Sequence, residues 1–215
     1  MDIATFISNI RAELDEPESS YLSDEQIVRW ANQAQRLVCA RLRLFYDTSG
    51  AEVTAGTPDY EIPNLLGVER ALFYTGSLTG AQTTLKRMDL RRLLDELKTT
   101  DTGTPYYYAH DVPNRRVVLF PTPSENGVLM IYGHFLPDNI YYDPNNPETN
   151  VDPTIPEEHL ELLNLWIKYK FAAMQEDLQL ASYYKDAFDR EIREARSVIY
   201  FAETDGAPEI QVDYY

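Results

Sequence analysis

The sequence predicts an α+β fold: a helical bundle from N- and C-terminal helices, with an inserted antiparallel β-rich region. Three observations predict it. Apolar residues recur at threes and fours near both ends of the chain. The middle is rich in aromatic and β-branched residues separated by turn chemistry. The connections between those middle strands look too short for parallel crossovers, which favours an antiparallel meander.

Each element follows in order. Ile3, Phe6, Ile7, Ile10 and Leu14 have helical spacing, and Pro17 stops the pattern. A second helix begins at Ser23, where Ser23 and Gln26 form a capping box. Its apolar stripe is Ile27, Trp30, Ala31, Ala34, Leu37 and Val38. It runs to about Leu44, with Gly50 in the loop beyond. Gly56-Thr57-Pro58-Asp59 is a turn, and strands are expected at Tyr60 to Ile62 and Val68 to Tyr74. Leu90, Leu93, Leu94 and Leu97 mark a short interrupting helix. Three strands follow, at Tyr106 to Ala109, Val117 to Phe120 and Val128 to Phe135.

Pro137 to Pro153 contains four prolines and four asparagines, with Tyr141 and Tyr142 among them. So long a connection is either disordered or an interacting segment, for which Tyr141 and Tyr142 are the candidate residues. Pro156, Glu157 and Glu158 suit the start of a helix carrying Leu160, Leu163, Ile167, Phe171 and Met174. Gln175-Glu176-Asp177 marks a tight turn. The last helix carries Ala181, Tyr184, Phe188, Ile192, Ala195 and Ile199, so the pair should form an antiparallel hairpin. The chain thus divides into bundle helices (1–50), the inserted β-rich region (51–136), the loop (137–155), the closing hairpin (156–202) and an acidic tail (203–215).

Composition excludes several classes of function. Nineteen basic against thirty-five acidic residues give a net charge of −16, which opposes broad binding of nucleic acid. No Lys or Arg lies between Arg116 and Lys168, while Glu125, Asp138, Asp143, Glu148, Asp152, Glu157, Glu158 and Glu161 do. This fits simple solubility, a surface facing a basic partner, or one to which DNA must not adhere. No apolar run reaches the length of a membrane span, and the start lacks the pattern of a secretory signal. One cysteine, Cys39, excludes an internal disulfide and a cysteine zinc site, so a reducing cytoplasm is expected.

The search for chemistry finds none. The three histidines, His110, His134 and His159, lack ligand spacing. Cys39 beside an apolar stripe reads as a buried, inert thiol. There is no Gly-x-Ser-x-Gly elbow and no phosphate loop. No catalytic residue, metal or cofactor is expected. Sixteen tyrosines, three of them in Tyr106-Tyr107-Tyr108, suggest core and protein interface in equal parts. Lys86, Arg87, Arg91 and Arg92 are the densest basic cluster, either a solvated face or a contact to a phosphate or an acidic neighbour.

The order of parts resembles the head-to-tail adaptor (connector, or head-completion) proteins of tailed bacteriophages. Asn32-Gln-Ala-Gln-Arg36 lies on the second helix, after Tyr21-Leu-Ser-Asp-Glu25. Pro58-Asp-Tyr-Glu-Ile-Pro63 precedes a Gly-Val-Glu-Arg-Ala strand. Thr102-Gly-Thr-Pro-Tyr-Tyr-Tyr108, Leu119-Phe-Pro-Thr-Pro123 and Ile155-Pro-Glu-Glu-His159 follow. The resemblance covers nearly the whole chain and carries no catalytic residues. It implies a structural protein of the virion, made in the host cytoplasm and placed at the head–tail junction. There it forms a ring, typically a dodecamer, with the portal protein above and a tail (nozzle or stopper) protein below. DNA passes through the lumen without sequence-specific binding. The resemblance gives the acidic tail a role: it clasps the portal or a neighbouring subunit, with Ile210, Val212, Tyr214 and Tyr215 as anchors. A different class of reading is a carbohydrate- or ligand-binding module on the tyrosine-rich strands. A third, ranked last, is an enzyme using an unrecognised carboxylate pair.

Overall fold

The computed structural model describes residues 1–16, 21–96 and 101–203. The elements are α1 (Ile3–Glu13), α2 (Asp24–Leu42), β1 (Tyr46–Val53), β2 (Asp59–Glu61), β3 (Leu65–Thr75) and β4 (Gln82–Arg87), then α3 (Leu90–Glu96). After them come β5 (Thr102–Gly103), β6 (Tyr107–Asp111), β7 (Arg116–Phe120), β8 (Thr122–Pro123) and β9 (Gly127–Phe135). Two 3₁₀ turns (Pro147–Thr149 and Glu157–His159) precede α4 (Leu160–Met174) and α5 (Leu178–Glu203). This is an α+β chain with a mixed sheet. It divides into two compact units: Met1–Leu44 together with the described chain from Pro137 onward, and Phe45–Leu136.

In the helical unit the apolar periodicity is realised as burial. Ile3, Phe6, Ile7 and Ile10 are buried on α1, and Ile27, Trp30, Ala31, Ala34 and Val38 on α2. Asp2 caps α1 by accepting from the Thr5 N–H, and Ser23 caps α2 by accepting from the Gln26 N–H. Helix α2 stops at Leu42 because Arg43 takes the left-handed conformation (φ 53°). The tight turn expected at 175–177 is present, with Glu176 at φ 61°. Helix α4 packs on α2 and α5, and the Trp166 and Phe188 rings meet at 5.1 Å. Three ion pairs also tie this unit: Glu13 to Lys168 (2.7 Å), Arg11 to Asp24 (2.5 Å) and Arg41 to Asp189 (2.7 Å).

The β unit departs from the expected meander. Its seven-stranded sheet has the order β1-β9-β3-β4-β6-β7-β2. Strands β4 and β6 are parallel, with Lys86 opposite Tyr107 and Arg87 opposite Tyr108. Helix α3 supplies the crossover between them, so the segment is a βαβ unit after all. The short helix read as an interruption is the connection that makes parallel pairing possible. The final strand β9 pairs with β1 and β3 and leaves β7 to pair with β6 and β2.

Gly50, expected in a loop, sits inside β1, an edge strand in unbroken register with β9 from Tyr46–His134 to Val53–Gly127. Strand β1 carries one buried side chain, Val53, which is why its pattern is silent in the sequence. One face of the sheet holds the main core, to which both edge strands contribute: Val53 from β1 and Tyr60 from β2, around Phe73, Leu119, Leu129 and Ile131. The opposite face carries a smaller core of Leu93, Ala109, Val118 and Phe120, covered by α3. Leu94 of the expected leucine stripe is exposed, and Leu97 lies outside the described residues.

Strands β3 and β9 approach closely where their register shifts, between Leu65 and Gly67 and between Val68 and Arg70. A Cβ on Gly133 would run into the Gly67 carbonyl oxygen, a backbone atom that cannot move aside alone. Gly133→Ala should therefore destabilise the β unit by about 1–3 kcal/mol, read as a lower urea midpoint. An unchanged midpoint would show that the two strands can part at this point without cost.

Candidate functional site

The loop after β9 is ordered, and helix α2 orders it. Asn32 treats the loop backbone as a strand would. Its side-chain N–H donates to the Ile140 carbonyl (2.8 Å), and its Oδ1 accepts from the Ile140 N–H (2.7 Å). One turn on, Gln35 joins the two arms of the loop: Nε2 donates to the Asp138 carbonyl (2.9 Å) and Oε1 accepts from the Thr154 N–H (3.0 Å). Gln35 is only 1% exposed, so each of these bonds is made away from water. Arg36 adds a bond to Asn139 Oδ1 (2.8 Å). Residues 32, 35 and 36 share one helix face at this spacing. Three of the five residues in Asn32-Gln-Ala-Gln-Arg36 thus grip one loop.

The remainder of the loop closes on itself. Tyr141 and Val151 form an antiparallel bridge, with N–H to carbonyl distances of 3.1 and 2.9 Å in the two directions. Asn150 Oδ1 accepts from the Asp143 N–H (2.7 Å), and a 3₁₀ turn occupies the tip. Ile140 and Ile155 are buried and anchor the two ends. Asp152 Oδ1 accepts from the Ile3 N–H (2.9 Å), which puts a carboxylate at the positive end of α1. The disordered alternative is therefore set aside. Tyr141 and Val151 are both exposed at the base of the tip, and Tyr142 is half-buried.

The other candidate residues are not brought to this loop. Lys86 and Arg87 are neighbours on β4, so they emerge on opposite faces of the sheet. Arg91 and Arg92 lie in the first turn of α3, where Asp89 caps the helix by accepting from both their N–H groups (3.0 and 3.2 Å). All four side chains are exposed. Burial, and then the Arg87 charge, holds the His110 imidazole below its ordinary range, against the opposite pull of Asp111. His134 is bonded to Glu69 (2.9 Å) and stacks edge-on with Tyr46. His159 starts α4. Burial pushes the Cys39 thiol up to about 12, as an inert buried thiol requires.

The tyrosine run makes no flat platform. Tyr108 is buried in the main core, Tyr107 packs against the α3 side, and Tyr106 is exposed. The run therefore splits between two cores and solvent, which leaves the carbohydrate-binding reading without a stacking surface here. Ile210, Val212, Tyr214 and Tyr215 lie outside the described residues.

The function of the Gln35 amide is testable. Gln35→Leu keeps the volume but leaves the Asp138 carbonyl and the Thr154 N–H without their partner. The expected loss is about 2 kcal/mol, with faster amide exchange confined to residues 137–155. Exchange that accelerates evenly through the helices would mean that Gln35 supports the packing of α2 and not the loop.

No curated protein matches the sequence. A family model described as SU10 adaptor protein matches residues 1–208, a span that takes in α1 to α5 and both compact units. That span takes in every motif on which the resemblance to phage head-to-tail adaptors rests, and the chain belongs to the SU10 adaptor protein family.

Proposed function

We propose that this phage adaptor works as a ring at the head–tail junction. The helical unit forms the collar as a bundle, twelve copies stand beneath a portal protein, and a tail protein attaches to the opposite end. DNA passes through the lumen. The work is mechanical: the chain holds two assemblies together and contributes no covalent step. The observation that carries this reading is membership of the SU10 adaptor family across nearly the whole chain. The net charge of −16 supports it, because a negative lumen gives DNA no counterion-release gain and so little adhesion.

In this reading the 203–215 segment docks on the portal or on a neighbouring subunit through Ile210, Val212, Tyr214 and Tyr215. The ordered tip with exposed Tyr141 supplies a second contact, since tyrosine is enriched at interfaces. Lys86, Arg87, Arg91 and Arg92 meet an acidic neighbour. The gap without cations between Arg116 and Lys168 keeps the 137–155 loop acidic, in keeping with a surface that DNA passes without binding.

Electron microscopy of the protein mixed with its own portal should show rings. Deleting residues 203–215 should lower ring yield on the portal while the melting temperature stays within about 2 °C, the shift expected for changes well under 1 kcal/mol. A full-length protein that stays monomeric and never joins the portal would overturn the reading. A sharp fall in melting temperature with rings retained would make the tail part of the folded body.

A further inference from the structure

The last described turns of α5 separate charge by side. On the side facing α4 lies a groove of about 420 Å³ whose rim carries Glu158, Glu161, Glu191 and Glu194. On the side facing α2 lies a groove of about 470 Å³ whose rim carries Arg41, Arg43, Arg193 and Arg196. At about 100° per residue, the α5 residues lining the two grooves centre about 140° apart around the helix axis. The buried Phe188 and Ile192 stripe runs between them. The solvent side of α5 carries exposed Asp186 and Arg190, one of each sign, and so adds no net field.

The charges in both grooves are largely unmatched. In the basic groove Asp189 answers Arg41 (2.7 Å) and also Lys185, so one acid serves two cations. Among the described residues, no acid forms an ion pair with Arg43, Arg193 or Arg196. In the acidic groove, Glu158, Glu161, Glu191 and Glu194 likewise have no ion-pair partner among the described residues. That groove is also greasy: Leu162, Ala195 and Ile199 line it, and Val198 stands 67% exposed at its edge. Val198 thus adds one exposed apolar side chain to a rim of carboxylates.

We infer that the two grooves are the two halves of one contact between copies of this chain. The acidic, Val198-bearing groove of one copy receives the arginine groove of the next. The match is of sign: the rim of four glutamates meets a rim that carries Arg43, Arg193 and Arg196 without ion-pair partners. Because the halves are different surfaces on different sides of α5, the contact is heterologous. Each copy that uses its acidic groove still offers its basic groove, so the contact propagates from copy to copy, as a ring requires. This inference rests on the proposed ring function and names its subunit interface.

Two charge-reversed variants test it. E191K/E194K sets two lysines against Glu158 and Glu161 and cancels the charge of the acidic groove, and R193E/R196E makes both grooves acidic. All four residues but Glu191 are exposed and none caps a helix, and unchanged circular dichroism checks the fold. Each variant alone should lose ring formation on the portal by roughly tenfold or more, since like charges then face each other. Mixed in equal amounts, the two should recover wild-type ring yield within about twofold, because every altered groove again meets its opposite. Recovery on mixing also proves both variants folded. Rings formed by either variant alone at wild-type yield, or no recovery on mixing, overturn the interface while the ring reading stands. Absence of rings from the wild type overturns both. Loss of rings on deleting 203–215 and in R193E/R196E, with E191K/E194K neutral, assigns the basic groove to the acidic tail and overturns the groove pairing.

Discussion

The helical unit depends on an exchange of hydrogen bonds between one helix and one loop. A long connection that returns to a folded unit carries backbone donors and acceptors, and burying them unpaired is costly. Among the described residues, no strand runs beside the loop to satisfy them. Asn32 and Gln35 act in its place, because a primary amide presents a donor and an acceptor at nearly the spacing of a peptide group. Each uses both. Gln35 is the more consequential of the two, since it holds Asp138 and Thr154 at once and so fixes where the loop leaves and where it returns. The tip then needs only the Tyr141–Val151 bridge to close. The order of the loop is thus a property of α2, and the exposed Tyr141 and Val151 are presented from a fixed base.

The helices were legible in the sequence because burial is one-sided and the period is long enough to count. Ile3, Phe6, Ile7 and Ile10 are read and buried together, and the Ser23 cap is found where it is expected. The strands were legible only where they are buried. Strands β3, β6, β7 and β9 carry apolar side chains, whereas β1 and β4 each bury one, Val53 and Leu85, and give almost no pattern. Their existence depends on partners distant in sequence, which periodicity does not report. The same limit hid the parallel pairing of β4 with β6. Counting residues between neighbouring strand candidates misses a crossover whose first strand has gone unread.

The loop-binding amides illustrate a different limit. Asn32, Gln35 and Arg36 stood in the sequence as polar residues on a helix, where solvent exposure is the ordinary outcome. Their i, i+3, i+4 spacing was the available signal: three side chains capable of hydrogen bonding on one face, beside an apolar stripe. The signal that they face a loop lies in the asparagines, prolines and acids more than a hundred residues later. Only the fold joins the two.

Net charge conceals the arrangement that matters for assembly. A chain with an excess of sixteen negative charges resists meeting its own copies, and a uniform distribution would oppose every self-contact. Screening limits that repulsion to about 8 Å at physiological salt. What a self-contact needs is therefore local opposition of sign, not a neutral molecule. The end of α5 provides it: arginines gather toward α2 and glutamates toward α4, while both sides belong to one rigid helix. Distant acids then repel weakly through solvent, and the facing grooves attract at contact distance with water displaced from Val198 and its neighbours. The same field disfavours any other face-to-face pairing, because most alternatives bring acid against acid. A strongly acidic chain that carries a basic groove on one side of a helix and an acidic groove on the other has, by that arithmetic, a directional way to meet itself.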